Sequence, residues 1–127
     1  MSRGAMKIAE RASTLYDAAG VEAYGLAVAV TGDPARAEQA LVQGLRRVVG
    51  ERGPSSPADD GLRLMAAVCD VLVDGDPARR SIVASLLMTR LAFCRTDAAA
   101  ILGVGSREVV ELVVAGLRDV QELRRSA

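Results

Sequence analysis

Apolar residues recur along most of this chain at the three- and four-residue spacing of an amphipathic α-helix, and almost no segment alternates as a β-strand does. Glycine, aspartate and proline separate the apolar segments and supply the expected helix ends. This pattern predicts an all-α fold, a bundle of about seven helices. The predicted helices span Met6–Ala19, Val21–Val30, Pro34–Val49, Asp59–Val73, Pro77–Phe93, Thr96–Leu102 and Ser106–Arg124.

Aspartate followed by proline marks two of the predicted helix starts. Asp33 is expected to cap the helix that begins at Pro34, since a short polar side chain accepts a hydrogen bond from the first helical turn. The same pair recurs at Asp76-Pro77, and there we place the boundary between an N-terminal half, 6–73, and a C-terminal half, 77–127. Only Asp74-Gly75-Asp76 connects the two halves, and we expect one compact body.

Two further segments stand outside the predicted helices. Gly50–Pro57 is rich in glycine, proline and serine, which predicts a loop. We leave Met1–Ala5 out of the fold, on the expectation that the native chain starts at Met6.

The amino-acid composition excludes several kinds of metal site and catalytic site. Half of the residues are hydrophobic while the aromatic residues are Tyr16, Tyr24 and Phe93, so the core must consist of alanine, valine and leucine. Histidine is absent, which excludes mixed Cys/His zinc sites and Ser-His or Cys-His catalysis. Cys69 and Cys94 are interpreted as buried free thiols of a cytoplasmic protein. We therefore expect no enzymatic activity, no metal and no cofactor.

Charge and hydropathy argue against two common partners. The 16 basic and 16 acidic residues cancel, whereas a module held to DNA by phosphate contacts usually carries a basic surplus. No apolar run reaches the roughly 18 residues that a membrane span needs, so we expect no membrane partner.

The most informative segment is a short predicted helix, a glycine turn and a second helix. Leu102 is placed against a core and Gly103 where the first helix must end in a left-handed residue. This is the layout of a helix-turn-helix, whose second helix normally enters the DNA major groove with its N-terminal side chains on the base edges.

Five motifs follow one another along nearly the whole chain: Leu15-Tyr16-Asp17, Val21–Ala27, Thr31–Glu38, Ala100–Val104 and Gly116–Leu123. The first three resemble the opening of the extracytoplasmic-function sigma factors, and the last two resemble the second domain of that family. The resemblance implies a sigma region 2-like half followed by a region 4-like helix-turn-helix half. It also implies a bacterial transcription regulator.

The departures from the family fall at its functional positions. Where the family carries carboxylates and an aromatic residue that contact RNA polymerase, this chain has Gln39, Val42-Gln43 and Leu45. The segment 61–72 supplies one arginine and no ring, whereas promoter opening requires aromatic stacking on extruded bases. The family's Thr-Val-x-Ser-Arg becomes Glu108–Leu112, and residues 106–127 hold four arginines and four acids. No local positive field is expected there.

Two surfaces are candidates for partner contact. The partner or DNA face of the recognition helix is predicted to comprise Ser106, Arg107, Val110, Glu111, Val114 and Arg118. The partner face of the N-terminal half is predicted to comprise Glu38, Gln39, Gln43, Arg46 and Arg47. Val110 and Val114 either extend the core or form an exposed apolar patch. We favour a patch that marks a protein interface, since an inner stripe is already filled by Val109, Leu112, Val113, Leu117, Val120 and Leu123.

The favoured hypothesis is a degenerate sigma-like protein that acts through protein contact with an anti-sigma factor, a sigma partner or another transcription partner. The alternative is a genuine minimal sigma factor or helix-turn-helix regulator that binds promoter DNA and RNA polymerase. Its phosphate contacts would come from Arg107, Arg118, Arg124 and Arg125. The apolar helices would also allow a homodimer, and the sequence does not decide its symmetry.

Overall fold

The computed structural model describes residues 3–50, 57–76 and 78–125, and these are all-helical with no strand. The all-α prediction is confirmed, with six helices in the described residues where about seven were expected. They are α1 (Arg3–Thr31), α2 (Pro34–Val49), α3 (Pro57–Gly75), α4 (Arg79–Thr89), α5 (Arg95–Leu102) and α6 (Ser106–Arg125).

The first two predicted helices form the single helix α1. The prediction that Gly20 ends a helix is wrong, because Gly20 is buried within α1 and the Tyr16 ring occupies the space that a Cβ atom would need. Gly20 therefore leaves room for the Tyr16 ring to pack against α1. Residues 3–5, which the sequence interpretation left out of the fold, belong to the same helix.

The start of α2 follows the predicted capping chemistry, and both of its bounds are confirmed. The backbone N–H of Ala35 donates to the Asp33 carboxylate over 2.9 Å, and Pro34 is the first helical residue. Just before it, Gly32 adopts a φ of 68°, which turns the chain between α1 and α2.

The bounds of α3 and α4 differ from the prediction. α3 starts earlier, at Pro57, and α4 ends at Thr89 instead of Phe93. The chain leaves α4 through Ala92, a non-glycine residue with a φ of 57°, and the N–H of Phe93 donates back to the Leu87 carbonyl over 2.9 Å. Half-buried Phe93 then packs against the core. α4 starts at Arg79, later than the predicted start at Pro77, with Ala78 as its N-cap. Pro77 itself, and positions 51–56 of the predicted loop, lie outside the described residues.

The helices pack in two groups that share one core. α1, α2 and α3 pack against one another, while α6 packs on α4 and α5. The groups meet where α3 contacts α5 and α1 contacts α4. A single cluster of mostly alanine, valine and leucine side chains runs through both groups, so the body is compact, as expected from the short linker. Its largest fully buried members include Leu15, Leu26, Leu64, Met65 and Leu87.

Two ion pairs hold α3 to the other N-terminal helices. The Arg11 Nη1 atom lies 3.1 Å from Asp60 Oδ2, which joins α1 to α3. Asp60 is a buried residue. The Arg47 Nη1 atom lies 2.7 Å from Asp70 Oδ2 and joins α2 to α3.

A glycine sets the approach of α6 to α4. Gly116 is buried, and a Cβ atom at this position would collide with the backbone carbonyl of Ser81 on α4 and press on the Ser85 side chain. The absence of a side chain therefore lets the two helices come close, as small residues do at tight helix crossings. This contact also fixes which side of α6 faces inward.

We expect Gly116→Ala to lower the free energy of unfolding by about 1–3 kcal/mol, because the added methyl group forces α6 away from rigid backbone. Gly25→Ala is the matched control, since Gly25 also lies inside a helix but has open space around it. That control should gain about 0.5–1 kcal/mol from the better helix propensity of alanine. Urea unfolding followed by circular dichroism measures both, and equal stability of the two variants would contradict the close approach.

Candidate protein-contact surfaces

The turn between α5 and α6 places α6 on the body. Gly103 ends α5 with a φ of 68° and a ψ of 33°, which confirms the predicted left-handed residue. The N–H of Val104 donates back to the Ala99 carbonyl over 3.0 Å. α5 buries Ala98 and Ile101 against the core, so the turn is anchored and α6 begins at Ser106 in a fixed direction.

The two cysteines have different surroundings. Cys69 is buried on α3, as predicted, but Cys94 is exposed, so the prediction that both thiols are buried is wrong. Cys94 is the N-cap of α5, and its sulfur accepts the backbone N–H of Asp97 over 3.5 Å instead of packing in the core.

An apolar stripe runs along the outward side of α6. Val110, Val114 and Leu117 are 41%, 44% and 44% exposed and lie about one turn apart. We call these three residues the α6 stripe. Val110 and Val114 are exposed and do not extend the core, while their role as a protein interface stays a prediction. The assignment of Leu117 to the inner face is wrong, because that face is centred on Val109 and Gly116 and turns Leu117 outward.

The remaining predicted residues of this surface are exposed as well. Ser106, Arg107, Glu111 and Arg118 lie on the same outward side of α6 as the stripe. The ion pairs of the described residues involve none of these charges. The burial of Val120 and Leu123, and the side chains of Arg124 and Arg125, lie outside what the structure describes. The surface is thus an apolar stripe bordered by charges of both signs.

A shallow groove of about 360 Å³ follows the outward side of α2. Four of the five residues predicted for the N-terminal partner face line it, and Ala35 and Val42 complete it. The predicted four are Glu38, Gln39, Gln43 and Arg46. Arg47 does not line the groove; its Nη1 atom lies 2.7 Å from Asp70 Oδ2 of α3, and its side chain stays 45% exposed. We call this surface the α2 groove.

Sequence reasoning did not predict four exposed apolar side chains. Val42 is 38% exposed inside the α2 groove. On α1, Val21 is 72% exposed, Tyr16 43% and Tyr24 36%. The signal that would have found Tyr16 is Gly20, one turn later, which leaves the ring lying over the helix instead of in the core.

Few side chains in the described residues are arranged as a metal-binding, ligand-binding or catalytic site requires. They hold no group of three or more Cys, Asp and Glu side chains that could bind a metal ion. A cavity of about 30 Å³ lined by Cys69, Asp70 and Ile101 among others is too small for an organic ligand, and beside it an open groove of about 330 Å³ lies between α3 and α5. Burial raises the pKa of the Cys69 thiol to about 12, and the Asp70 carboxylate adds to the shift. None of the helices in the described ranges is long and apolar enough to cross a membrane.

We expect the two thiols to react at different rates with a thiol reagent such as dithiobisnitrobenzoate at pH 8. Cys94 should react rapidly in the folded protein because it is exposed, whereas Cys69 should react only after unfolding, because its thiol is buried and protonated. Counting labelled thiols before and after adding denaturant measures this. Rapid labelling of both in the folded state would contradict the burial of Cys69.

Comparison with known proteins supplies no relative from which a role could be transferred. No family model, curated protein or solved structure matches this chain. The α6 stripe, the α2 groove and the sequence motifs are the features of this chain that bear on its function.

Proposed function

We propose that this protein is a degenerate sigma-factor-like regulator of transcription that acts through protein contact. The observation that carries the proposal is the α6 stripe. In a helix-turn-helix the outward side of the second helix contacts DNA, and here that side presents Val110, Val114 and Leu117 to solvent. A contiguous exposed apolar strip on a small protein is typical of a surface that another protein covers.

The charges around the stripe favour protein over DNA. The exposed cations of α6 within the described side chains are Arg107 and Arg118, and the exposed anions Glu108, Glu111 and Asp119 oppose them. Phosphate contacts need a positive surface, which this mixture does not provide. Valine side chains give base edges only apolar contact, so they cannot replace the hydrogen bonds that read a sequence.

The α2 groove supplies a second contact surface on the other half of the molecule. Its polar members are one acid, two amides and one arginine, and exposed Val42 lies among them. At the corresponding segment the sigma family carries carboxylates and an aromatic residue for RNA polymerase. The loss of those groups, with an apolar residue in their midst, favours a different protein partner. An anti-sigma factor or another transcription regulator fits this change.

The runner-up function is a minimal sigma factor or helix-turn-helix regulator that binds promoter DNA. Its supporting observation is the turn at Gly103, which leaves Ser106 and Arg107 exposed at the start of α6, where a DNA-reading helix would meet base edges. Arg118 would add a phosphate contact. This function requires that the acidic residues between these arginines do not repel the DNA phosphates enough to prevent binding.

Partner capture from the native bacterial host tests the proposal. Tagged protein should retain an anti-sigma factor or another transcription regulator, identified by mass spectrometry. Val42→Glu should reduce that recovery about tenfold or more, because it places a charge in the α2 groove, where a desolvated apolar contact is expected. Ala29→Glu is the control, since Ala29 is exposed on α1 and outside the groove. Recovery of RNA polymerase without a regulator would favour the runner-up.

Binding to promoter-length duplexes gives the complementary test. We expect no saturable binding by fluorescence anisotropy at about 150 mM salt, because the outward side of α6 lacks a positive surplus. Submicromolar binding that weakens steeply as salt is raised, and that Arg107→Ala reduces, would overturn the proposal in favour of the promoter-binding function.

A further inference from the structure

The α6 stripe has the spacing of a helix-pairing seam. Val110, Val114 and Leu117 are separated by four and then three residues, and exposed Gln121 continues the series after four more. Alternating steps of three and four place side chains along one line of a helix, as the a and d positions of a heptad do. Such a seam is complementary to a second helix lying nearly parallel or antiparallel to it.

Two charges beside the seam make it complementary to itself. Glu111 and Arg118 are seven residues apart, so they lie on the same flank of the stripe, one on each side of Val114. In an antiparallel pair related by a two-fold axis, the same flanks of both helices meet with their order reversed. Glu111 of each copy would then face Arg118 of the other copy, which gives two ion pairs across the interface.

A parallel pair would lose this match. Each charged flank would then meet the opposite flank of the other helix, where half-buried Val113 already packs against the core. Both charges would be left without a counter-ion. The distribution of charge therefore selects the antiparallel direction as well as the partner.

From this geometry we propose that α6 pairs antiparallel with α6 of a second copy of this chain, along the α6 stripe. The inference rests on the proposed function, which assigns this side of α6 to protein contact, and it names the partner there. In the described residues α2 and α6 do not contact each other, so the dimer leaves the α2 groove open for a transcription partner. The interface is one helix pair, which is at the small end of specific interfaces and predicts a reversible dimer.

Sedimentation velocity of the purified chain over a concentration series tests the dimer. The wild-type protein should shift from monomer to dimer as concentration rises. Glu111→Arg and Arg118→Glu should each weaken association about tenfold, because each variant alone opposes like charges at both contacts. An equimolar mixture of the two variants should recover dimers, since one variant then carries positive charges at both contacting positions and the other carries negative charges at both.

Val114→Glu should abolish association, because it puts a charge at the centre of the seam. Ala115→Glu and Glu108→Arg are the matched controls, as both residues are exposed on α6 away from the stripe, and they should dimerise like the wild type. Circular dichroism confirms that each variant is folded. A wild-type chain that stays monomeric, single variants that dimerise as well as the wild type, or a mixture that fails to recover dimers would each overturn the inference.

These outcomes separate the dimer from the proposed function. A monomeric wild type whose partner capture still depends on Val42 would overturn the dimer alone. Tight, salt-sensitive promoter binding would overturn the proposed function, whatever the sedimentation result.

Discussion

The close approach of α6 to α4 at Gly116 is the constraint on which the surface of this protein depends. Because Gly116 lies against the backbone of Ser81, the rotation of α6 about its own axis is fixed. Val109 then lies fully buried, and Val110, Val114 and Leu117 are left in solvent. A helix turned by one residue would bury part of the stripe and expose the core. The contact chemistry of the outward side thus follows from one missing side chain on the inward side.

Local chemistry made several features predictable from the sequence. Asp33 and Pro34 fixed the start of α2, and Gly103 fixed the end of α5, because capping and left-handed residues act through their nearest neighbours along the chain. The exposure of Val110 and Val114 was also predictable, since an inner stripe was already filled. These features need no knowledge of which helices pack together.

The remaining features depend on tertiary contacts. Gly20 was expected to end a helix, but the Tyr16 ring covers it within α1. Ala92 takes a left-handed conformation that alanine rarely adopts, and it does so where Phe93 must return to the core. Leu117 fits the inner stripe by spacing alone, and only the contact of Gly116 with α4 shows that it faces outward. Arg47 likewise was grouped with the residues of the α2 groove, but it lies outside that groove and pairs with Asp70 of α3.

Together these observations describe an all-α protein whose helix α6 presents an apolar stripe bordered by charges of both signs. The central claim is that the outward side of α6 contacts protein and not DNA. Amide hydrogen exchange of residues 106–119, followed by mass spectrometry, tests this claim most directly. The account predicts that exchange in this segment slows as protein concentration rises and is unchanged by a promoter duplex. Protection by the duplex, with no dependence on protein concentration, would contradict it.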